Sequence, residues 1–375
     1  MYYLLAIASL GFLIVVHEGG HYFVARWCQM RIERFSVGFG PAILKRTSKK
    51  TGTTFQLAPI PFGGFVEIRG MNIAEDVDPE DRHAYPNRPA WQRFVTIFAG
   101  PATNYLSAIV LAMGLYTCYG VDDKHRSAVG DLLEGYDAHG KLERGDRIVA
   151  VDHTPHFSDT GPTLPERINA AKGAAVTITV ERDGKLHDIK ITPQLANESS
   201  ERARRSLAEI ARLAPVLEPA TKRISASLPE PVWRIGVLQQ PAVVQIGVLA
   251  AAEQALVYPI IQTKAIGAGL YGIVFGDEKA DPGGPIRMIE EFHRAFSLGL
   301  VPGIKLLMVL SVYLGLFNLF PVPALDGGRL VFLAYELVTR RRANPKIEAT
   351  VHMAGIMALL VLMILVVIVD VRRLF

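Results

Sequence analysis

An almost uncharged apolar run from about Leu4 to Trp27 contains the segment Val15-Val16-His17-Glu18-Gly19-Gly20-His21. No other feature constrains the chain as strongly. About 20 apolar residues of helix cross the roughly 30 Å of a bilayer's hydrocarbon, and ionisable side chains inside such a run are costly and usually functional. On a helix, His17 and His21 project from one face a turn apart, spaced for two neutral imidazoles to share a metal of zinc type. Glu18 can take a proton from a water activated there. The competing reading is a soluble core helix with a satisfied histidine pair; the setting favours the metal. The run has no basic leading segment and no small-x-small cleavage site, so it reads as a retained transmembrane helix.

Further apolar runs lie at about 94–117, 298–320 and 350–369. With 50% hydrophobic and 20% charged residues and a mean hydropathy of +0.25, the chain reads as a multi-pass α-helical membrane protein with about four transmembrane helices. The formal charge of +4 is modest, and the basic residues sit beside the apolar runs, a pattern of membrane topology and not of nucleic-acid binding. Eight basic and two acidic residues lie between Arg26 and Arg69, and Arg340, Arg341, Arg342 and Lys346 fill the third connection. Positive charge faces the cytoplasm, which places both termini and the 118–297 segment outside and the histidines towards the cytoplasmic side. Cys28 and Cys118 suggest neither a disulfide nor a metal spacing.

The chain divides into an N-terminal membrane core (1–120), an α+β domain (121–195), a linker or degenerate segment (196–241), an amphipathic interfacial region (242–296) and a C-terminal membrane core (297–375). Within the first, residues 55–68 read as two short strands around a Pro/Gly turn, a membrane-associated β-hairpin beside the metal helix. Non-helical backbone at that depth needs shielding by protein or water. Its edge, with Gly63, Gly64, Phe65 and Val66, could pair with an extended substrate; an ordinary structural hairpin fits the same residues. In Ala99-Gly100-Pro101-Ala102-Thr103-Asn104 the small residues suit close helix packing, and Asn104 suits a hydrogen bond near the site. In the second domain, 144–152, 176–185 and 186–192 read as strands and 165–172 as helix. Arg202, Arg204 and Arg205 fall on a helix-like piece, and 242–275 reads as an amphipathic helix on the outer leaflet.

The third run ends Asn318-Leu319-Phe320-Pro321-Val322-Pro323-Ala324-Leu325-Asp326-Gly327-Gly328. Two prolines break a transmembrane helix, and such breaks are compensated at a lined cavity. Two histidines leave a catalytic zinc one protein ligand short, and Asp326 is the natural third. A helix N-cap over 327–338 is the alternative for it. Asn318 could donate to a scissile carbonyl or its oxyanion, or hydrogen-bond backbone freed by the prolines.

Taken together, His17-Glu18-Gly19-Gly20-His21, Pro61-Phe62-Gly63-Gly64-Phe65-Val66, the Ala99–Asn104 segment, Gly284-Pro285-Ile286 and the Asn318–Gly328 segment resemble, in order, the site-2 protease family, and within it the bacterial RseP-like members. Leu142-Glu143-Arg144-Gly145-Asp146-Arg147-Ile148 resembles the signature of a bacterial PDZ domain except at Glu143. The resemblance implies an intramembrane zinc endopeptidase of the bacterial inner membrane that cleaves single-span membrane proteins, an anti-sigma factor among them. His17, His21 and Asp326 would hold Zn2+, Glu18 would be the base and Asn318 would assist at the carbonyl. The 55–68 element would hold substrate, and an extracytoplasmic PDZ-like domain would take peptide tails. Gly19 stands where the family carries a bulkier residue, and one PDZ-like unit is legible where RseP-like members often have two. Two rival functions use the same residues: a metal transporter with a transit site, and a non-catalytic membrane adaptor.

Overall fold

The computed structural model describes residues 1–72, 75–155, 162–196, 206–207, 222–225, 228, 232–276 and 284–373. It forms two compact units, Met1–Cys118 with Ile246–Phe375, and Tyr119–Gln245. In chain order the helices are α1 (Tyr2–Trp27), α2 (Ala90–Cys118), α3 (Leu164–Ala170), α4 (Val248–Phe275), α5 (Pro285–Ser297), α6 (Leu300–Leu319), α7 (Asp326–Thr339) and α8 (Pro345–Arg373). Among the described residues, four helices are long and apolar enough to cross a membrane: Tyr2–Trp27, Ala90–Cys118, Leu300–Leu319 and Pro345–Asp370. Helix satisfies every backbone polar group internally, which is why uninterrupted apolar runs adopt it. α6 stops at Leu319 because Pro321 and Pro323 lack the N–H groups that would extend it.

α1, α2 and α6 form the centre of the first unit. α4 packs Ala255, Tyr258 and Ile266 against Ala108, Ala112 and Leu115 of α2 and Met308 and Val312 of α6. The expected amphipathic character of 242–275 is not found. Leu249, Leu256, Val257, Ile260 and Ile261 of α4 are exposed. Glu253, Gln254, Gln262 and Lys264 are spread around the helix instead of forming a polar face. The two-faced helix is α5, which buries Phe292 and Phe296 against Ala6, Leu10 and Leu13 of α1 and turns Glu290, Glu291 and Arg294 outward.

The expected hairpin at 55–68 is also corrected. Its strands exist, as β3 (Thr54–Leu57) and β4 (Ile60–Ile68), but they do not pair with each other. They belong to a four-stranded sheet of order β2-β3-β1-β4, with β1 (Ile32–Phe39) between them and β2 (Leu44–Thr47) outside β3. β3 runs parallel to β1 and β4 antiparallel to it. The Ala58 N–H donates to the Val37 carbonyl at 2.9 Å, carrying the chain across β1 instead of back on itself. The partner is set by burial of Ile32, Phe35 and Ile68, which local alternation does not reveal. β4 is therefore an edge strand.

The second unit is a sheet of order β12-β5-β6-β8-β9, from β5 (Val121–Leu132), β6 (Arg147–Val151), β8 (Val176–Arg182), β9 (Lys185–Ile191) and β12 (Val237–Val244), with β7 (Thr154–Pro155) on β6. Val129, Ile148, Ile178, Val180 and Ile191 form its core with Leu164 and Ile168 of α3. Thr163 caps α3, its hydroxyl accepting from Glu166 N–H while the Glu166 carboxylate accepts from Thr163 N–H. Residues 233–241 of the expected linker and 242–244 of the expected amphipathic region contribute β11 (Trp233–Arg234), paired with β10 (Gln194–Leu195), and β12, paired with β5. These pairings are long-range and have no local signature. The helix-like piece at Arg202, Arg204 and Arg205 lies outside the described residues.

Candidate metal centre

The site starts from the close approach of α1 and α2. The Thr103 hydroxyl donates to the Val16 carbonyl at 2.9 Å. Gly100 lies under the His21 ring, where an added Cβ would stand 2.2 Å from His21 Nε2. Only glycine admits the imidazole there. Both histidines are buried. His21 Nδ1–H donates to the Thr96 carbonyl at 2.9 Å, which leaves Nε2 as a bare lone pair. The Asn104 carboxamide, fully buried on α2, contacts His17 Nδ1 at 2.9 Å through Nδ2.

Asp326 arrives from the far end of the chain. Beyond the prolines Ala324 takes a left-handed φ of 80°, a strained conformation for a residue with a Cβ. α7 then starts beneath the turn, so tightly that a Cβ on Gly327 would lie 2.0 Å from the Phe320 carbonyl oxygen. Asp326 is the first residue of α7, and no side chain caps that helix. Its Oδ2 instead stands 3.2 Å from His17 Nε2 and 3.3 Å from His21 Nε2. The two Nε2 atoms are 3.4 Å apart, and the three ligating atoms lie within 4.8 Å of one another. Asp326 Oδ2 is buried without a hydrogen-bond partner. Two imidazole nitrogens and an orphaned carboxylate oxygen around one point form a donor set that a tetrahedral dication fits, with one position left for water or substrate.

His17, Glu18, His21, Phe65, Asn318 and Asp326 all line one cavity of about 570 Å³. β4 presses onto α1 at this point, where a Cβ on Gly64 would stand 3.1 Å from Glu18 Cγ. Gly64 and Val66 also line the cavity, whereas Gly63 is not among the lining residues and lies against the Phe39 ring. The Asn318 side chain reaches the wall, and its Nδ2 donates to the Leu314 carbonyl at 2.9 Å. Sequence reading had no specific role for Thr96 or Gly100, and none for Arg329 or His352, which line the cavity opposite the histidines' helix. A buried amide in an apolar run was the available signal for Asn104. No comparable signal marks Thr96, which contributes only its carbonyl.

The chain matches the family model described as Peptidase family M50 over residues 5–362. The protein named "Putative zinc metalloprotease RC0203" of Rickettsia conorii is 29% identical over 377 residues, covering 98% of each chain. Two others bear the same designation. FN1322 of Fusobacterium nucleatum is 28% identical over 379 residues, covering 100% of both chains. BR1156/BS1330_I1152 of Brucella suis is 31% identical over 354 residues, covering 87% of this chain and 83% of its own. With the family model spanning both halves of the metal centre, the chain belongs to peptidase family M50, the site-2 protease family.

Proposed function

We propose that the protein is a zinc endopeptidase that hydrolyses peptide bonds within transmembrane segments of single-span membrane proteins. The observation that carries this reading is the convergence of His17, His21 and Asp326 beside Glu18 in one cavity, on elements distant in sequence. His17, His21 and Asp326 would hold the zinc ion. When bound, the ion polarises the substrate carbonyl and makes water acidic enough to attack at neutral pH. Glu18 takes the proton of the attacking water and delivers it to the leaving amine, so that one C–N bond breaks, one C–O bond forms and the proton is conserved. Asn318 would turn its amide from Leu314 to the scissile carbonyl.

A substrate helix hides its amides in its own hydrogen bonds and must unwind to be cut. The free edge of β4, at Gly64, Phe65 and Val66, offers the backbone partners an unwound segment needs. The second unit would act as a PDZ-like domain and take peptide tails on the extracytoplasmic side of a bacterial inner membrane, with the metal centre nearer the cytoplasm, a reading supported by the Leu142–Ile148 signature. The test is Glu18→Gln in purified protein reconstituted with a candidate transmembrane peptide. Zinc content near one ion per chain with cleavage abolished is expected. Unimpaired cleavage, or metal flux into proteoliposomes in place of cleavage, refutes the reading.

A further inference from the structure

The cavity wall opposite the histidines' helix holds a cation that the chemistry above does not use. Arg329 follows Asp326 by three residues on α7, so both project from the same side of the helix. Both line the cavity, and Arg329 is only partly exposed. Several of the other charged groups around it are committed. Arg93 donates to Glu336 at 2.5 Å, Arg342 donates to the Pro86 carbonyl, Glu67 accepts from Arg34, and Glu75 accepts from the Gly70 N–H. Asp326 Oδ2 is turned to the two histidines. Glu348 and His352 face the cavity from α8, and His352 Nδ1 accepts from the Ala324 N–H at 3.3 Å. Arg329 makes no ion pair or hydrogen bond with any described residue, Glu348 included. Its five guanidinium donors, which no acceptor among the described residues takes up, are therefore available to an anion entering the cavity.

We propose that Arg329 is the anion-recognition point of this cavity and takes a carboxylate of the peptide being processed. Two sources share that chemistry: an acidic side chain next to the scissile bond, and the α-carboxylate that hydrolysis creates. The fork of the guanidinium matches a carboxylate in two parallel bonds, and its place a turn along α7 from Asp326 sets the anion beside the reacting carbonyl, not upon it. The inference rests on the peptidase reading, and the experiment separates the two. Cleavage by the wild-type protein of paired transmembrane peptides, with Asp or Asn flanking the cut, gives one ratio of kcat/KM. Inhibition by product peptides ending in a free acid or an amide gives a second ratio, measured also as direct binding to the Glu18→Gln protein.

A charge-assisted pair supports a preference for the acid on the order of tenfold or more in at least one arm. Arg329→Gln should bring that ratio close to one, and Arg329→Lys, which keeps the charge and loses the fork, should leave it intermediate. Preference confined to the first arm identifies the side chain, and to the second the new terminus. Equal handling of acid and amide by a wild-type protein that cleaves overturns the proposal and leaves the peptidase reading standing. Preference that survives in folded Arg329→Gln overturns it as well. Should that variant not fold, an unchanged ratio in Arg329→Lys does so in its place. Failure to cleave any peptide, with no zinc retained, refutes the peptidase reading itself, and acid–amide discrimination in the binding arm still decides the role of Arg329.

Discussion

Replacing Asn104 with alanine tests how the metal ligands are held. Asn104 is fully buried, and its Nδ2 lies 2.9 Å from His17 Nδ1, while its Oδ1 is buried with no partner. Nδ2 as donor leaves the His17 proton on Nε2, which then faces Asp326 and His21. A cation at that point must displace the proton. Turning the carboxamide by half a revolution would present Oδ1 to an Nδ1–H and free Nε2 as a ligand. Asn104 can thus serve both tautomers, and its unpartnered oxygen is in place for the second. Asn104→Ala removes this support and leaves a buried ring N–H unpaired, at a cost of about 1–3 kcal/mol. Loss of such an outer partner weakens metal binding by roughly 10- to 100-fold, which is the same range by a separate route. Asn104→Asp restores an acceptor for Nδ1–H and should recover part of the loss. The assay is competition for zinc against a chromophoric chelator in detergent, with thermal unfolding followed in parallel. A folded Asn104→Ala protein that binds zinc within about twofold of the wild type would refute the argument.

Two further outcomes follow from the packing. Gly100→Ala would place a Cβ 2.2 Å from His21 Nε2, and since the ring is held by Thr96 it must swing away from Asp326; zinc content and cleavage should fall together, with secondary structure by circular dichroism unchanged. In the second unit, burial alone would raise the Asp146 carboxyl, but two bonds from Arg182, at 2.7 and 2.6 Å, and the Glu143 N–H outweigh it and hold the group below the usual carboxylate range. Its ionised form therefore stabilises the fold at neutral pH, and that stabilisation is lost as pH falls from about 4 through the lowered value. Asp146→Asn should melt lower than wild type at pH 7, with the difference closing below about pH 4; a gap that stays constant with pH refutes the pairing as its source.

How much of this was legible depended on whether the signal was local. The apolar runs and the His17–His21 spacing need only helix period and membrane thickness, so the chain shows them before any folding is considered. The strands at 147–151, 176–182 and 185–191 were likewise readable, since Asp183-Gly184 announces its own turn. The pairing of β3 and β4 was not: each chose β1, through burial contributed by residues elsewhere. The number of polar residues in 242–275 suggests an amphipathic helix, but in α4 they are dispersed around the axis. From the sequence Gly100 reads only as close packing and Asn104 as a hydrogen bond with no named partner; the structure sets a histidine ring against each.

By itself, the sequence determined that this protein spans a membrane with helices and carries a histidine pair able to share an ion, because both properties follow from spacing along a single element. Tertiary structure alone decided that Asp326 reaches those histidines from the far end of the chain, that α2 supplies the partners orienting them, and that Arg329 enters the same cavity without an ion pair to any described residue. Contacts of that kind depend on how a broken helix, a strained Ala324 and a glycine turn redirect the chain in space, and no local period encodes the direction.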